Sequence, residues 1–468
     1  MNHIHDEVKG WRWVPRPARF IHGAMSDFRR TPVLALALAG FLTQFDVTAV
    51  IVILPAIGDE LGFGISGYAW VMDAYSLAFT ATLLASGALA DRFGRRLALL
   101  AGNAMFAAAS LLCAVAWDGP SLWLGRGLQG IAAAFVITGS LALIAGAYPE
   151  PAARARAFGL AGIVSGVAMA IGPTLGGFLA IWPGWRWIFL ANLPVCLAMI
   201  WIVPRLVGES RDDAGRPIDP VGIALLTLAL GLVIESLLSA HQSPTRLLAG
   251  SGAGAVFLAL FVRQQQRRAA PVLDPALLRQ KAMIAVSLLL ITVSVAYWAV
   301  LVYLPLFLQS RFGFSIEWTG LVMLAATLPM VVLPPFAAGL APRWGWRRLF
   351  ATGLAVIALG DAVLAAAFMN TFADPLWLAL SGMVVVAIGA ALVQAQLSGA
   401  VVALAPPAQA GMASALTIVM RQGGFAVGIA GLGATAGSGY SVLFLAAMAA
   451  AVVGAASTAL LGPRVGTG

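Results

Sequence analysis

The sequence predicts an all-helical polytopic membrane protein of two six-helix halves with a two-helix hairpin inserted between them, fourteen membrane-spanning helices in all. Three observations carry that expectation. The chain is 61% hydrophobic and 10% charged over 468 residues, against roughly 25% charge in an average soluble domain. Its apolar residues fall into windows near the length of about 20 positions that a helix needs to cross hydrocarbon. A charged stretch between two such windows, Gly87-Ala-Leu-Ala-Asp91-Arg92-Phe-Gly94-Arg95-Arg96, returns in weakened form in the second half of the chain.

The windows, bounded by charge or turn signals, run 33–56, 68–90, 97–117, 121–146, 157–181 and 187–207. An extra pair follows at 220–240 and 246–262; the second is short and Gly-rich, with Arg246 and Arg263 at its ends placed to snorkel to the headgroups. Six more run 282–308, 315–341, 349–369, 375–404, 411–434 and 440–461. The implied organisation is a basic arm at 1–32, a first half at 33–208, a linker with two extra helices at 209–281 and a second half at 282–468.

The repeat supports the two halves. Leu89-Ala-Asp91-Arg92-Phe-Gly94 is echoed by Leu340-Ala-Pro342-Arg343-Trp-Gly345, each followed by an Arg pair. Leu122-Trp-Leu124 returns as Leu376-Trp-Leu378, and Ala147-Tyr-Pro149-Glu-Pro151 is echoed by Leu404-Ala-Pro406-Pro407 at a similar offset. Parallel six-helix halves around a site near the midplane are a known membrane arrangement. The extra windows lie between them, flanked by the mixed charges of 205–219 and by Arg263-Gln-Gln-Gln-Arg267-Arg268.

A net charge of +9 would fit a nucleic-acid partner, but its distribution follows the positive-inside rule. With the N-terminus inside, 23 of the 28 basic residues fall in inner segments, three (Arg186, Arg246, Arg311) in outer loops, and Arg126 and Arg421 within windows. Both termini are therefore expected in the cytoplasm of a cell with a bacterial-type inner membrane, and no nucleic acid as partner. The first 30 residues lack a signal peptide's apolar region; Trp11-Arg-Trp-Val-Pro-Arg-Pro-Ala-Arg reads as a basic aromatic arm at the inner surface. Cys113 and Cys196 lie in windows, and His3, His5, His22 and His241 in polar segments, which indicates neither a disulfide framework nor a metal.

Several residues bear chemistry. Asp91 closes one window, where its charge is expected to accept bonds from helix N-terminal amides or to pair with Arg92 and Arg95. In Leu124-Gly-Arg126-Gly-Leu-Gln129-Gly130 a guanidinium inside a window is read as functional, with Gln129 three residues on along the same face. Gly162-x3-Gly166-x3-Ala170 and Gly172-Pro173-Thr-Leu-Gly176-Gly177 form a small-residue stripe expected to let helices approach, with a proline expected to bend it. Asp46, Asp73, Glu235 and Asp361 are intramembrane carboxylates, costly when charged and unpaired. A desolvated cavity acid takes up a proton near neutral pH and releases it when a cation approaches. Arg421, followed by Gln422-Gly-Gly, is a second intramembrane cation without an evident partner.

Taken together, these segments resemble the fourteen-helix drug:proton antiporter family of the major facilitator superfamily over residues 33–434. Phe45-Asp46-Val-Thr48 to Leu54-Pro55, Trp70-Val-Met-Asp73-Ala-Tyr75, the Asp91 loop, Arg126 with Gln129-Gly130, Gly172-Pro173 with Gly176-Gly177, and Trp185-Arg186-Trp187-Ile-Phe189 to Asn192-Leu-Pro194 follow in order. The resemblance implies export driven by proton entry. Asp46 and Arg126 would act in coupling, with Asp73, Asp361 and Glu235 as further acids, and Gln129, Tyr75, Arg421 and Gln422 would line the cavity. Gly87, Asp91, Arg92, Gly94 and Arg95 would form the gating loop, and the glycine-proline segment would mark antiport. Asp73, where a small or hydroxyl residue is usual, and Pro342, in place of an Asp, are departures.

The expectation is a proton-coupled exporter of amphipathic, often cationic small molecules, multidrug efflux by alternating access. It would act as a monomer in the bilayer, with small-molecule substrates and protons as its partners and with no cofactor beyond a proton gradient. An exporter dedicated to one metabolite, antibiotic or lipid-like compound is the alternative on the same fold. An enzyme would need His, Cys or paired acids clustered at one membrane face, and use of bound ATP a G-x4-G-K-[ST] stretch; neither pattern occurs.

Overall fold

The computed structural model describes residues 30–148, 150–211, 219–239, 243–268, 280–368, 375–404, 410–436 and 438–461, and these form helices and turns without a strand. The basic arm and all four histidines lie outside the described residues.

The first half comprises α1 (Arg30–Leu61), α2 (Ile65–Phe93), α3 (Arg95–Ala114), α4 (Gly119–Ala147) and α5 (Pro151–Leu179), with α6 (Arg186–Leu190) and α7 (Asn192–Leu206) making one span. Next come α8 (Pro220–Leu238) and α9 (Pro244–Arg267). In the second half, α10 (Lys281–Val293) and α11 (Val300–Phe312) join through a π turn; α12 (Ile316–Val322), α13 (Leu324–Thr327) and α14 (Pro329–Val332) lead into α15 (Pro334–Ala366). The chain ends with α16 (Pro375–Leu404), α17 (Ala410–Ala436) and α18 (Tyr440–Ser457).

Thirteen helices are long and apolar enough to cross a membrane among the described residues, and the protein is a multi-pass membrane protein. The expected window 68–90 forms α2, 29 residues carrying Asp73 and Asp91, which is not among the thirteen; at 1.5 Å per residue it is about 44 Å long. The weak window 246–262 forms a 24-residue helix with few buried side chains: Gly254, Phe261 and Gln265. The windows 315–341 and 349–369 meet at Gly345, whose φ of 72° breaks α15. Gly94, its counterpart in the repeat, has φ 122°. Both copies of the charged signature thus turn the chain at a glycine that adopts a conformation side chains avoid.

In the first half α1 packs on α5, and α4 on α2 and α3; in the second, α15 packs on α16 and on α18. Between them, α8 and α9 run antiparallel, Gly250 against Ser236 and Gly254 against Val233. Asp219 ties their base. It caps α8 through the Gly222 N–H at 2.9 Å, accepts bonds from the Gln264 and Gln265 amides and pairs with Arg268. Burial works against its charge, but these donors outweigh it and hold the carboxyl below its usual range. The C-terminal end of α8 packs on both halves, with Ile234 among Leu77, Ala426 and Ala430.

Candidate functional site

The first half encloses a polar cluster with no solvent contact. Asp46 and Arg126 are each 0% exposed and form an ion pair at 2.5 Å. The other carboxylate oxygen accepts from the Asn192 amide at 2.7 Å and the Gln129 amide at 3.2 Å. Arg126 also donates to the Gln129 carbonyl at 2.8 Å and, through Nε, to the backbone oxygen of Val71 at 3.1 Å. Ser110 accepts from Gln129 at 2.8 Å. The Cys113 thiol contacts the Gln129 carbonyl at 3.4 Å. Three helices, α1, α4 and α7, therefore meet at one carboxylate; α3 joins the cluster through Ser110, and α2 supplies a backbone acceptor. Further hydrogen bonds offset the desolvation of such a buried pair; Arg126 Nη2 and the Asn192 Oδ1 are left without a partner among the described residues.

The cluster touches a cavity. The Arg126 guanidinium lies 4.6 Å from the centroid of the Tyr75 ring, a cation–π contact. Tyr75 in turn lines a cavity of about 250 Å³ together with Thr43 and Gln44 of α1, Trp298 of the π turn, and Arg421 and Gln422 of α17. The cavity lies between the halves. Most of its α1, α4 and α5 residues fall in the parts of those helices nearer to Arg30, Ala147 and Pro151. At the other end the halves touch: Thr174 donates to the Gly320 oxygen at 3.0 Å, and Gln309 to that of Val52 at 3.4 Å.

The glycine stripe divides into parts with different neighbours. A Cβ on Gly172 or Gly176 would meet Thr48 or Ala49 of α1, within the same half; one on Gly177 would meet the Ile316 oxygen of α12 at 2.8 Å, across the halves. Gly162 has nothing within 4 Å of such a Cβ and Gly166 only Val331 at 3.8 Å, so the expected close approach fails there. Helix α5 continues through Pro173.

The Asp91 loop is held differently from either expectation taken alone. Asp91 pairs with Arg95 at 2.9 Å, while the N-terminal amides of α3 are taken by Glu209, which accepts from the N–H of Arg96 at 2.9 Å and of Leu97 at 3.1 Å. Arg95 also reaches the Ser210 hydroxyl at 3.2 Å. A Cβ on Gly94 would meet the Glu209 carboxylate at 2.8 Å, which explains that glycine; Gly87 has open space, and no packing reason for it emerges. Arg92 stacks on Phe93, with 5.4 Å between guanidinium and ring.

The other acids stay apart from the Asp46 cluster. Asp73 and Asp361 are each 0% exposed with no hydrogen-bond partner among the described residues. Asp73 lies in α2, which packs on α17, and is within electrostatic reach of Tyr303 in the second half. Asp361 lies in α15 beside Gly360, which packs on Val386. Glu235 accepts from Ser239 at 2.8 Å on α8. Sequence reasoning missed Asn192, Ser110 and Glu209; the signal available for the first was an amide at the edge of an apolar window.

The profile of the Major Facilitator Superfamily matches residues 36–429. The chain belongs to that superfamily. It is 31% identical over 410 residues to the multidrug resistance protein Stp of Mycobacterium tuberculosis, covering 86% of this chain and 76% of that one. It is 32% identical over 412 residues to the multidrug efflux pump LfrA of Mycolicibacterium smegmatis, covering 86% and 81%. A peptide transporter POT crystallised with sulfate shares the fold, with a TM-score of 0.70 at 18% identity over 93% of this chain and 95% of that one. These agree with the resemblance read from the ordered motifs, and place the chain in a family of transporters.

Proposed function

We propose that this chain exports amphipathic small molecules, cations among them, across a bacterial-type plasma membrane in exchange for protons, acting as a monomer without a bound cofactor. The observation that carries the reading is the buried Asp46–Arg126 pair joined through Tyr75 to a cavity between the halves. Protonation of Asp46 removes the charge that Arg126 needs. The guanidinium then loses its ion pair in a water-free setting, and that cost is a driving force for rearrangement. The cavity faces the cytoplasm in this conformation if the basic loops lie inside. Closure there and opening at the α5–α12 contact would release substrate outside. The relatives named for multidrug resistance and efflux support the substrate class.

The test is internal pH in proteoliposomes under an imposed proton gradient, on adding lipophilic cations, with sodium substitution as a control. Substrate-triggered proton flux that Asp46→Asn abolishes supports the proposal. Flux that survives this substitution, or that follows sodium, overturns the coupling assignment. No flux across a broad panel with folded protein points instead to an exporter dedicated to one compound.

A further inference from the structure

The cavity lining has a charge character that proton coupling leaves unused. Among the described residues, Arg421 is the one charged residue of the lining and no carboxylate joins it. Asp46 stands outside the lining with its charge already engaged by Arg126 at 2.5 Å. Asp73 is two positions from Tyr75 on α2 and is likewise not part of the lining. The Arg421 guanidinium has no ion pair or hydrogen bond among the described residues.

Two more donors lining the same cavity are unspent: the Trp298 indole N–H and the Ser76 hydroxyl are buried without partners. Gln422 stands next to Arg421 and adds an amide. Around these lie Tyr75 and Phe79, stacked with 6.2 Å between ring centroids, and Phe425. Arg421 is half-buried, and a guanidinium facing a largely apolar cavity without a counter-charge, beside buried donors without partners, carries an uncompensated cost. A ligand that brings one negative charge and a flat apolar body matches the Arg421 charge and the aromatic lining, and the guanidinium fork matches a carboxylate bidentately.

We infer that Arg421 anchors the carboxylate of amphipathic anionic substrates, with an aromatic body lying among Tyr75, Phe79, Trp298 and Phe425. The inference rests on the exporter reading and adds anions to its substrates, giving them a separate anchor from the Asp46 coupling pair.

The test compares binding of naphthoate, naphthamide and naphthylmethylammonium to the full chain in lipid nanodiscs by calorimetry, for the native protein, Arg421→Gln and Arg421→Lys. The native chain is expected to bind naphthoate at least about tenfold more tightly than the ammonium compound. Arg421→Gln should lose that preference while keeping naphthamide binding, and Arg421→Lys should retain part of it. Equal or tighter binding of the ammonium compound by the native chain overturns the inference, as does unchanged naphthoate binding by Arg421→Gln. The native comparison decides even if Arg421→Gln fails to fold. Arg421-dependent naphthoate binding without proton-coupled movement would sink the exporter reading alone. Proton-coupled cation export with no naphthoate preference would sink this inference alone.

Discussion

Asp46 takes donors from Arg126, Asn192 and Gln129 at once, so each partner's worth depends on the others. Arg126→Gln leaves a buried carboxylate without its ion pair and should destabilise the protein by about 3–5 kcal/mol. Adding Asp46→Asn removes the uncompensated charge and should recover part of that loss, a coupling that thermal unfolding of the two single variants and the double variant measures. Asn192→Ala removes a single neutral donor to a charged acceptor and should cost about 1.5–3 kcal/mol, with substrate-driven proton flux reduced; unchanged flux and stability would remove Asn192 from the site. The pairing of Asp46 with Arg126 was readable only as two isolated charges 80 positions apart, because spacing within one helix says nothing about which face of another it meets.

At the level of elements, α5 presents its glycines to two different helices. Gly176→Val would drive a side chain into the Ala49 backbone oxygen, 2.7 Å from its Cβ, inside one half. Overpacking of that kind costs about 1–3 kcal/mol, read as a lower unfolding temperature. Gly177→Val meets the Ile316 oxygen across the halves; it should leave cavity binding intact and strongly reduce transport, since the α5–α12 end no longer closes. Equal effects of the two substitutions on transport and stability would refute that division. The hairpin base makes a pH prediction. The Asp219 carboxyl is held below its usual range, so its contribution is present above about pH 4 and is lost as pH falls through the lowered value. Asp219→Asn should lower the unfolding temperature near neutral pH and leave a smaller difference from the native protein in acid.

For the whole molecule, loop charge predicts a topology and is silent on the conformation. Positive-inside counting places the Asp91 loop and Glu209 in the cytoplasm and Asp118 outside. In intact cells a membrane-impermeant maleimide should therefore label Asp118→Cys and spare Ser210→Cys, while Cys113 and Cys196, both buried, stay unreactive; the reverse pattern would invert the protein. The apolar windows, the repeated charged signature and the extra pair of helices were legible because membrane insertion is written in local hydropathy and in loop charge, both properties of short stretches. The sequence alone also singled out Asp46, Arg126 and Gln129, since polar groups in hydrocarbon are too costly to occur without partners. Only the tertiary structure decided that Asn192 and Ser110 complete that cluster, that Glu209 rather than Asp91 caps α3, that Asp73, Asp361 and Glu235 make no bond to the Asp46–Arg126 pair, and which aromatic residues stand around Arg421 in the cavity. Each of these is a contact between helices distant in the chain, and its geometry is set by how whole helices pack, which no local pattern records.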